Sequence, residues 1–248
     1  MTEQHAATIG EIRISYEVAG DPAAPPMVLL HALGERASDW APVSPAFAAR
    51  YRVYAPDLRG HGDTDWPGNY SFQLMRDDVT GLLDHLGLRQ VILAGHSMGA
   101  VVAYLVTIAR PDLVARLIIE DAPPPFPRNR PAPGEPASPI EFDWPVVPAI
   151  VNQVNQGDPE TWELLKTITV PTLIIGGGPE SHIPQDRLAE AASRIPACEL
   201  ITIPAGHNIH TSSPTEFKSA VLAWLPAQPA PRCLTRAPVN EVLPPTGP

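Results

Sequence analysis

Cysteine is almost missing from this chain: only Cys198 and Cys233 occur in 248 residues. A disulfide framework and a cysteine-based zinc site are excluded on that count, and a reducing cytoplasm is the expected compartment. No His or Cys pair stands at a metal-binding spacing with a third ligand nearby, so no metal is expected. No stretch approaches the roughly 18 consecutive apolar residues of a transmembrane helix. The opening Met1-Thr2-Glu3-Gln4-His5 holds no basic segment leading into an apolar run, so no secretory signal is read there. Positive charge is also scarce, with 17 Lys and Arg against 27 Asp and Glu, a net of −10. Nucleic acid and anionic membranes need a positive footprint, so neither is an expected partner.

Proline is what the chain has in excess, at 32 residues. Ten fall between Ala122 and Pro148, and seven between Pro226 and Pro248. Proline lacks the N–H that a ladder or helix needs, so both stretches are expected to be largely irregular, the first an internal excursion and the second a tail. Elsewhere short apolar runs alternate with helical patterns. The runs are Ile12–Val18, Met27–Leu30, Tyr51–Tyr54, Val91–Leu93, Leu117–Ile119, Val170–Ile175 and Leu200–Ile203. Leu74, Met75, Val79, Leu82, Leu83 and Leu86 recur at helical spacing, and Ala100–Ala109 is nearly all apolar, as in a helix buried on most sides. Ser213-Pro214 supplies an N-cap and a first-turn proline for a last helix. Continuous apolar strands alternating with helices predict an α/β fold with a mostly parallel sheet, whose ligands bind at the carboxyl ends of the strands. The length suits one domain or at most two.

The chemistry sits at one such strand end. Val91-Ile92-Leu93-Ala94 runs into Gly95-His96-Ser97-Met98-Gly99 and then into the Ala100 helix. A serine at the apex of a strand–turn–helix is held in a strained conformation, with flanking glycines relieving clashes. Its hydroxyl then stands above a helix N-terminus, where developing negative charge is favoured. The plain alternative is a serine N-cap between convenient glycines.

With these segments in order, the chain resembles the α/β-hydrolase family over about residues 8–225. His31-Ala32-Leu33-Gly34 is similar to the family's oxyanion loop, which usually has Gly where Ala32 stands. Asp57-Leu58-Arg59-Gly60-His61-Gly62 is similar to a turn typical of the family, and Gly206-His207-Asn208-Ile209-His210 to its histidine loop. The resemblance implies an eight-stranded sheet, a short lid after strand six, and acyl transfer by Ser97 with no cofactor. Ser97 needs a base within reach, and His207, in a short loop between the last strand and the final helix, fits best of eight histidines. His210, one turn on, reads as loop packing, and His96 as a residue under the elbow. Backbone N–H groups of Leu33 and Met98 are the expected oxyanion donors.

The acid is open between three residues. The family's usual slot after the penultimate strand falls on Glu180, in Gly177-Gly178-Pro179-Glu180-Ser181-His182-Ile183-Pro184. Some haloalkane dehalogenases and fungal zearalenone lactonases place the acid just after the sixth strand, which here gives Asp121, with Glu120 beside it. Residues 1–121 and 168–227 would then form the core, 122–167 a proline-rich lid, and 228–248 a flexible tail. Within the lid Val147, Ile150, Val151 and Val154 trace a helical stripe, and Asp158-Pro159 starts a second helix. Phe126, Phe142, Trp144 and Trp162, with His31, are candidates to line an apolar substrate pocket, and packing of lid on core is the alternative. The expected function is a serine hydrolase acting on a carboxylic ester, lactone or thioester of an apolar small molecule, as a monomer or homodimer. A non-catalytic ligand-binding member, a cofactor-free perhydrolase and a carbon–carbon bond hydrolase are the alternatives.

Overall fold

The computed structural model describes residues 2–226, so the expected tail at 228–248 lies outside the described residues. The strands are β1 (Glu3–Ile9), β2 (Ile12–Ala19), β3 (Pro26–Leu30), β4 (Arg52–Pro56), β5 (Val91–His96), β6 (Val114–Glu120), β7 (Thr172–Gly176) and β8 (Cys198–Thr202). They form one eight-stranded sheet in the order β1-β2-β4-β3-β5-β6-β7-β8. β2 pairs antiparallel with β1 and with β4, and every other pairing is parallel. The helices are α1 (Ser44–Ala48), α2 (Phe72–His85), α3 (Met98–Ala109), α4 (Val146–Gln156), α5 (Pro159–Leu164), α6 (Gln185–Arg194), α7 (Ile209–Ser212) and α8 (Pro214–Trp224).

Side chains alternate across the sheet as the two-residue period requires. Leu117, Ile119 and Ile174 join the core under α2, α3 and α6. Ile118, Leu173 and Ile175 join Trp40, Phe47 and Phe217 on the opposite face. Every residue of β3, β5 and β7 is buried, which is why these strands read as continuous apolar runs. Each fully buried Leu or Ile there contributes about 1.5–3 kcal/mol relative to exposure. α3 is buried from Met98 through Thr107, because it packs beneath the lid as well as against the sheet.

The segment between β6 and β7 has no regular element from Ala122 to Phe142 and then supplies α4 and α5. Ser71 caps α2 by accepting from the Leu74 N–H, and Asp158 caps α5 by accepting from the Thr161 N–H. The proline stretch is pinned near its end: the Gly62 N–H donates to the Glu141 carbonyl and the Asp143 N–H to the Gly60 carbonyl, both at 2.8 Å. Because the sheet is parallel from β4 to β8, the loops after β3, β5, β6, β7 and β8 all emerge at one edge. Those loops carry the residues that follow.

Candidate active site

Ser97 sits at the apex between β5 and α3 with φ 51° and ψ −109°, in the left-handed half of backbone space. That conformation costs a non-glycine residue about 1–3 kcal/mol and persists only where its surroundings enforce it. Here a Cβ on Gly95 would collide with the Gly99 carbonyl, and one on Gly99 with the Leu30 carbonyl. Both glycines are therefore required by close backbone approach. The Ser97 side chain makes no cap hydrogen bond to α3, so it is not serving as an N-cap. It faces a pocket together with Leu33 and Met98, the two residues expected to offer oxyanion N–H groups.

Three carboxylates at the strand ends have three different surroundings. Asp121 is completely buried, has φ 47°, and donates its own N–H to the Ile175 carbonyl at 2.8 Å. Its Oδ2 accepts from His207 Nδ1 at 2.8 Å and from the Ser181 hydroxyl. Its Oδ1 accepts from the Gly177 N–H at 2.8 Å and from Gln185 Nε2 at 3.3 Å. Burial raises the pKa of this carboxyl, but these four donors outweigh it and hold the group below its ordinary value. A buried charge with every lone-pair direction occupied meets the condition under which such burial is tolerated. Glu180 lies exposed in a short 3-10 turn (Gly178–Glu180) and is not brought to His207. Glu120 is buried but turns to the other face of the sheet, where it accepts from the His210 N–H at 2.8 Å and from His210 Nδ1 at 2.9 Å.

His207 is therefore the histidine paired with Asp121, through its Nδ1, and its ring packs on His182, which lines the pocket. Its side chain is 16% exposed. The ring of His182 packs edge-on against it, with centroids 4.3 Å apart. Burial, then repulsion from His207 and Arg130, brings the pKa of His182 down to about 4. Ser181, His182 and Gln185 belong to a segment read in the sequence for Glu180 alone. The signal for them was that segment's position after β7, since any loop there reaches the same edge.

Behind Asp121 and His207 lies a buried charged cluster. His96 donates from Nε2 to the His207 carbonyl at 3.0 Å and faces Glu35 from Nδ1 at 3.4 Å. Burial opposes its charge, yet Glu120 and then Glu35 keep its pKa up at about 9. Burial likewise opposes the Glu35 charge, and His96 nevertheless holds that carboxyl at about 2. Glu35 also accepts from the Ala32 N–H at 3.1 Å and from Asn208 Nδ2 at 3.2 Å, so one carboxylate joins the loops after β3, β5 and β8. Among the described residues, Glu35, His96 and His210 are the one group with ligand atoms close enough to share a metal ion, within 4.8 Å of one another. Most of their polar atoms are already committed to protein partners, and His210 Nε2 alone is buried without one.

His31 is a correction to the pocket expectation. It is fully buried and serves its loop instead, donating from Nδ1 to the Ala32 carbonyl and accepting at Nε2 from the Leu58 N–H, both at 2.8 Å. His61 does the same work one loop away, accepting from the Gly34 N–H at 3.1 Å. Of the four candidate aromatics, only Phe126 lines the pocket. Phe142 packs against Gly34 and the His61 ring, and Trp144 packs on Phe142. Trp162 is buried with its Nε1 donating to the Pro125 carbonyl at 2.9 Å. These three were drawn away because large rings under a proline-rich lid gain more by burial against core and loop than at an open cavity wall. The walls are instead aliphatic, with Val101 from α3 and Ile150, Val151 and Val154 from α4, around a cavity of about 90 Å³.

Known proteins share this fold. The family model described as the alpha/beta hydrolase family matches residues 27–220. The chain is 27% identical over 270 residues to the sn-1-specific diacylglycerol lipase ABHD11 of Mus musculus, covering 90% of this chain and 88% of that protein. It is 40% identical over 121 residues to a soluble epoxide hydrolase of Corynebacterium sp. (strain C12), covering 48% of this chain and 42% of that enzyme. A solved structure described as Est816, an N-acyl homoserine lactone degrading enzyme, superposes with a TM-score of 0.78 at 21% identity, over 89% of this chain and 100% of that one. Among the described residues, no helix is long and apolar enough to cross a membrane.

Proposed function

Since the chain belongs to the alpha/beta hydrolase family, we propose that it is a serine hydrolase cleaving a carboxylic ester or lactone through an acyl-enzyme on Ser97. The observation that carries this reading is the 2.8 Å pairing of His207 Nδ1 with buried Asp121, on the same sheet edge as the strained, pocket-lining Ser97. The lipase and lactonase relatives support ester-type chemistry.

In this reading the Ser97 oxygen attacks the substrate carbonyl carbon while His207 Nε2 takes the hydroxyl proton. The carbonyl electron pair moves onto its oxygen, which the Met98 and Leu33 N–H groups receive; the Met98 N–H lies in the first turn of α3 and has no intrahelical acceptor. Collapse of this intermediate breaks the C–O bond, and the departing alkoxide takes the proton back from His207. Water, deprotonated by His207, then attacks the Ser97 ester, and the acid is released with the serine restored. Asp121 fixes the tautomer that leaves Nε2 unprotonated and stabilises the imidazolium that forms twice per cycle. The aliphatic pocket walls favour an apolar acyl group.

A fluorophosphonate probe is expected to label the peptide containing Ser97, and Ser97→Ala to lose both labelling and turnover of nitrophenyl esters and a lactone panel. Undiminished labelling of the Ala variant contradicts the assignment.

A further inference from the structure

The charge of the pocket runs against the charge of the molecule. The whole chain carries −10, yet the residues lining the pocket with Ser97 include no acid and two arginines, Arg128 and Arg130, beside His182. Arginine elsewhere is generally matched: Arg36, Arg59, Arg110, Arg187 and Arg194 each hold a carboxylate. Among the described residues neither Arg128 nor Arg130 does. The Nε of Arg128 is buried with no hydrogen-bond partner, and Arg130 Nη1 faces only the Nε2 of His182, a neutral acceptor, at 3.2 Å.

The backbone that carries the two cations is also held in place. Asn155 on α4 accepts from the Arg128 N–H through its carbonyl at 3.1 Å and from the Arg130 N–H through Oδ1 at 3.0 Å. Its Nδ2 donates to the Arg130 carbonyl at 2.7 Å, so three bonds tie this stretch to the lid helix. The Arg128 guanidinium lies over the Phe126 ring at 5.0 Å. Burial first, and the neighbouring Arg130 second, make the Arg128 charge harder to keep, as its lowered pKa reflects. A half-buried guanidinium beside a like charge, with an unmatched donor, is a cost that an anionic oxygen would remove, and the planar guanidinium suits carboxylate or phosphate.

We propose that Arg128 and Arg130 form an anion-binding subsite, so that the preferred substrate is an apolar acyl compound bearing a carboxylate or phosphate remote from the scissile bond. This rests on the hydrolase reading of Ser97 and adds a substrate class to it. An apolar wall grips the acyl chain, and the two guanidiniums fix the charged end.

The test compares matched pairs of substrates on the whole protein. One pair is the 4-nitrophenyl monoester of adipic acid against 4-nitrophenyl hexanoate, which differ by the terminal carboxylate. The other is S-hexanoyl-4′-phosphopantetheine against the neutral S-hexanoylpantetheine, which differ by the phosphate. In at least one pair kcat/KM for the anionic member is expected to exceed the neutral member by tenfold or more. Whichever pair shows it identifies carboxylate or phosphate as the recognised group. The preference should shrink in high salt and fall to near unity in Arg128→Gln/Arg130→Gln. Arg130→Gln alone, at an exposed position, should lower it severalfold without risk to folding. Turnover of the neutral substrates with intact Ser97 labelling, but no anionic preference in either pair, would overturn the subsite and leave the hydrolase reading standing. No turnover of any substrate and no labelling would remove that reading, and this proposal with it.

Discussion

Glu120 and Asp121 are chain neighbours with opposite assignments, and residue-scale geometry separates them. Strand alternation sends the Glu120 side chain to His210. The left-handed φ of 47° at Asp121 ends the strand and turns its carboxylate toward His207. The sequence shows two carboxylates at one strand end and a third at another, but not which has four donors waiting. The strained turn at Ser97 was legible because Gly95 and Gly99 answer a steric need that the strand–Ser–helix turn creates. Glu35 was not legible, since a lone acid in a loop carries no pattern. Its pairing with His96 makes a pH-dependent prediction. The His96 pKa of about 9 lies above its usual value near 6.5. Its stabilising effect is therefore full below about pH 6.5 and is lost as pH rises through about 9. Glu35→Gln is expected to lower Tm by several degrees at pH 6.5, given about 1.5–3 kcal/mol for a hydrogen bond to a charged group and roughly 2–4 °C per kcal/mol at this size. The gap to the parent protein should narrow between pH 7 and 10. A gap that stays constant across that range contradicts the ion pair.

At the scale of elements, the loop after β3 is the clearest case of structure built to hold a backbone. His31 and His61 each accept a backbone N–H at Nε2, from Leu58 and Gly34, and can do so only while neutral. Burial is the main cause that lowers their pKa values, to about 4 and about 3. Both values lie below the unfolded value near 6.5, so the stability these residues contribute is present above about pH 6.5 and lost as pH falls through about 4 and 3. Tm is expected to decline from pH 6.5 to 4, and His61→Asn to give a lower Tm at pH 7 with a shallower decline. An unchanged slope in that variant would show that His61 does not set the acid limb. Central elements such as β5 and α3 were readable because burial on all sides demands continuous apolar sequence. β1 was missed for the converse reason: as an exposed edge strand reading Glu-Gln-His-Ala-Ala-Thr-Ile, it displays almost no apolar period. The lid helices α4 and α5 were visible from their stripe and their Asp-Pro start, while the destinations of Phe142, Trp144 and Trp162 depend on tertiary contacts that no local pattern encodes.

The whole molecule works by convergence at one sheet edge. Ser97 follows β5, Asp121 follows β6 and His207 follows β8, and the acid and base meet although 86 residues separate them. Parallel pairing makes this possible, because the carboxyl ends of β3 to β8 then face the same edge. The segment between β6 and β7 covers that edge with aliphatic side chains from α4 and with the two arginines, so the pocket at Ser97 differs in character from a chain of net charge −10. Fold class followed from the alternation of strands and helices. Which carboxylate meets His207 required the sheet order, since β7 beside β6 delivers Gly177, Ser181 and Gln185 to the Asp121 carboxylate.

The most direct test is turnover of one activated ester by Asp121→Asn and by Glu180→Gln, each near-isosteric and each checked for folding. Loss of the triad carboxylate costs up to about four orders of magnitude in such enzymes. Asp121→Asn is expected to lose at least about a hundredfold in kcat and Glu180→Gln less than about tenfold. A large loss in Glu180→Gln with Asp121→Asn near the parent rate would contradict the account.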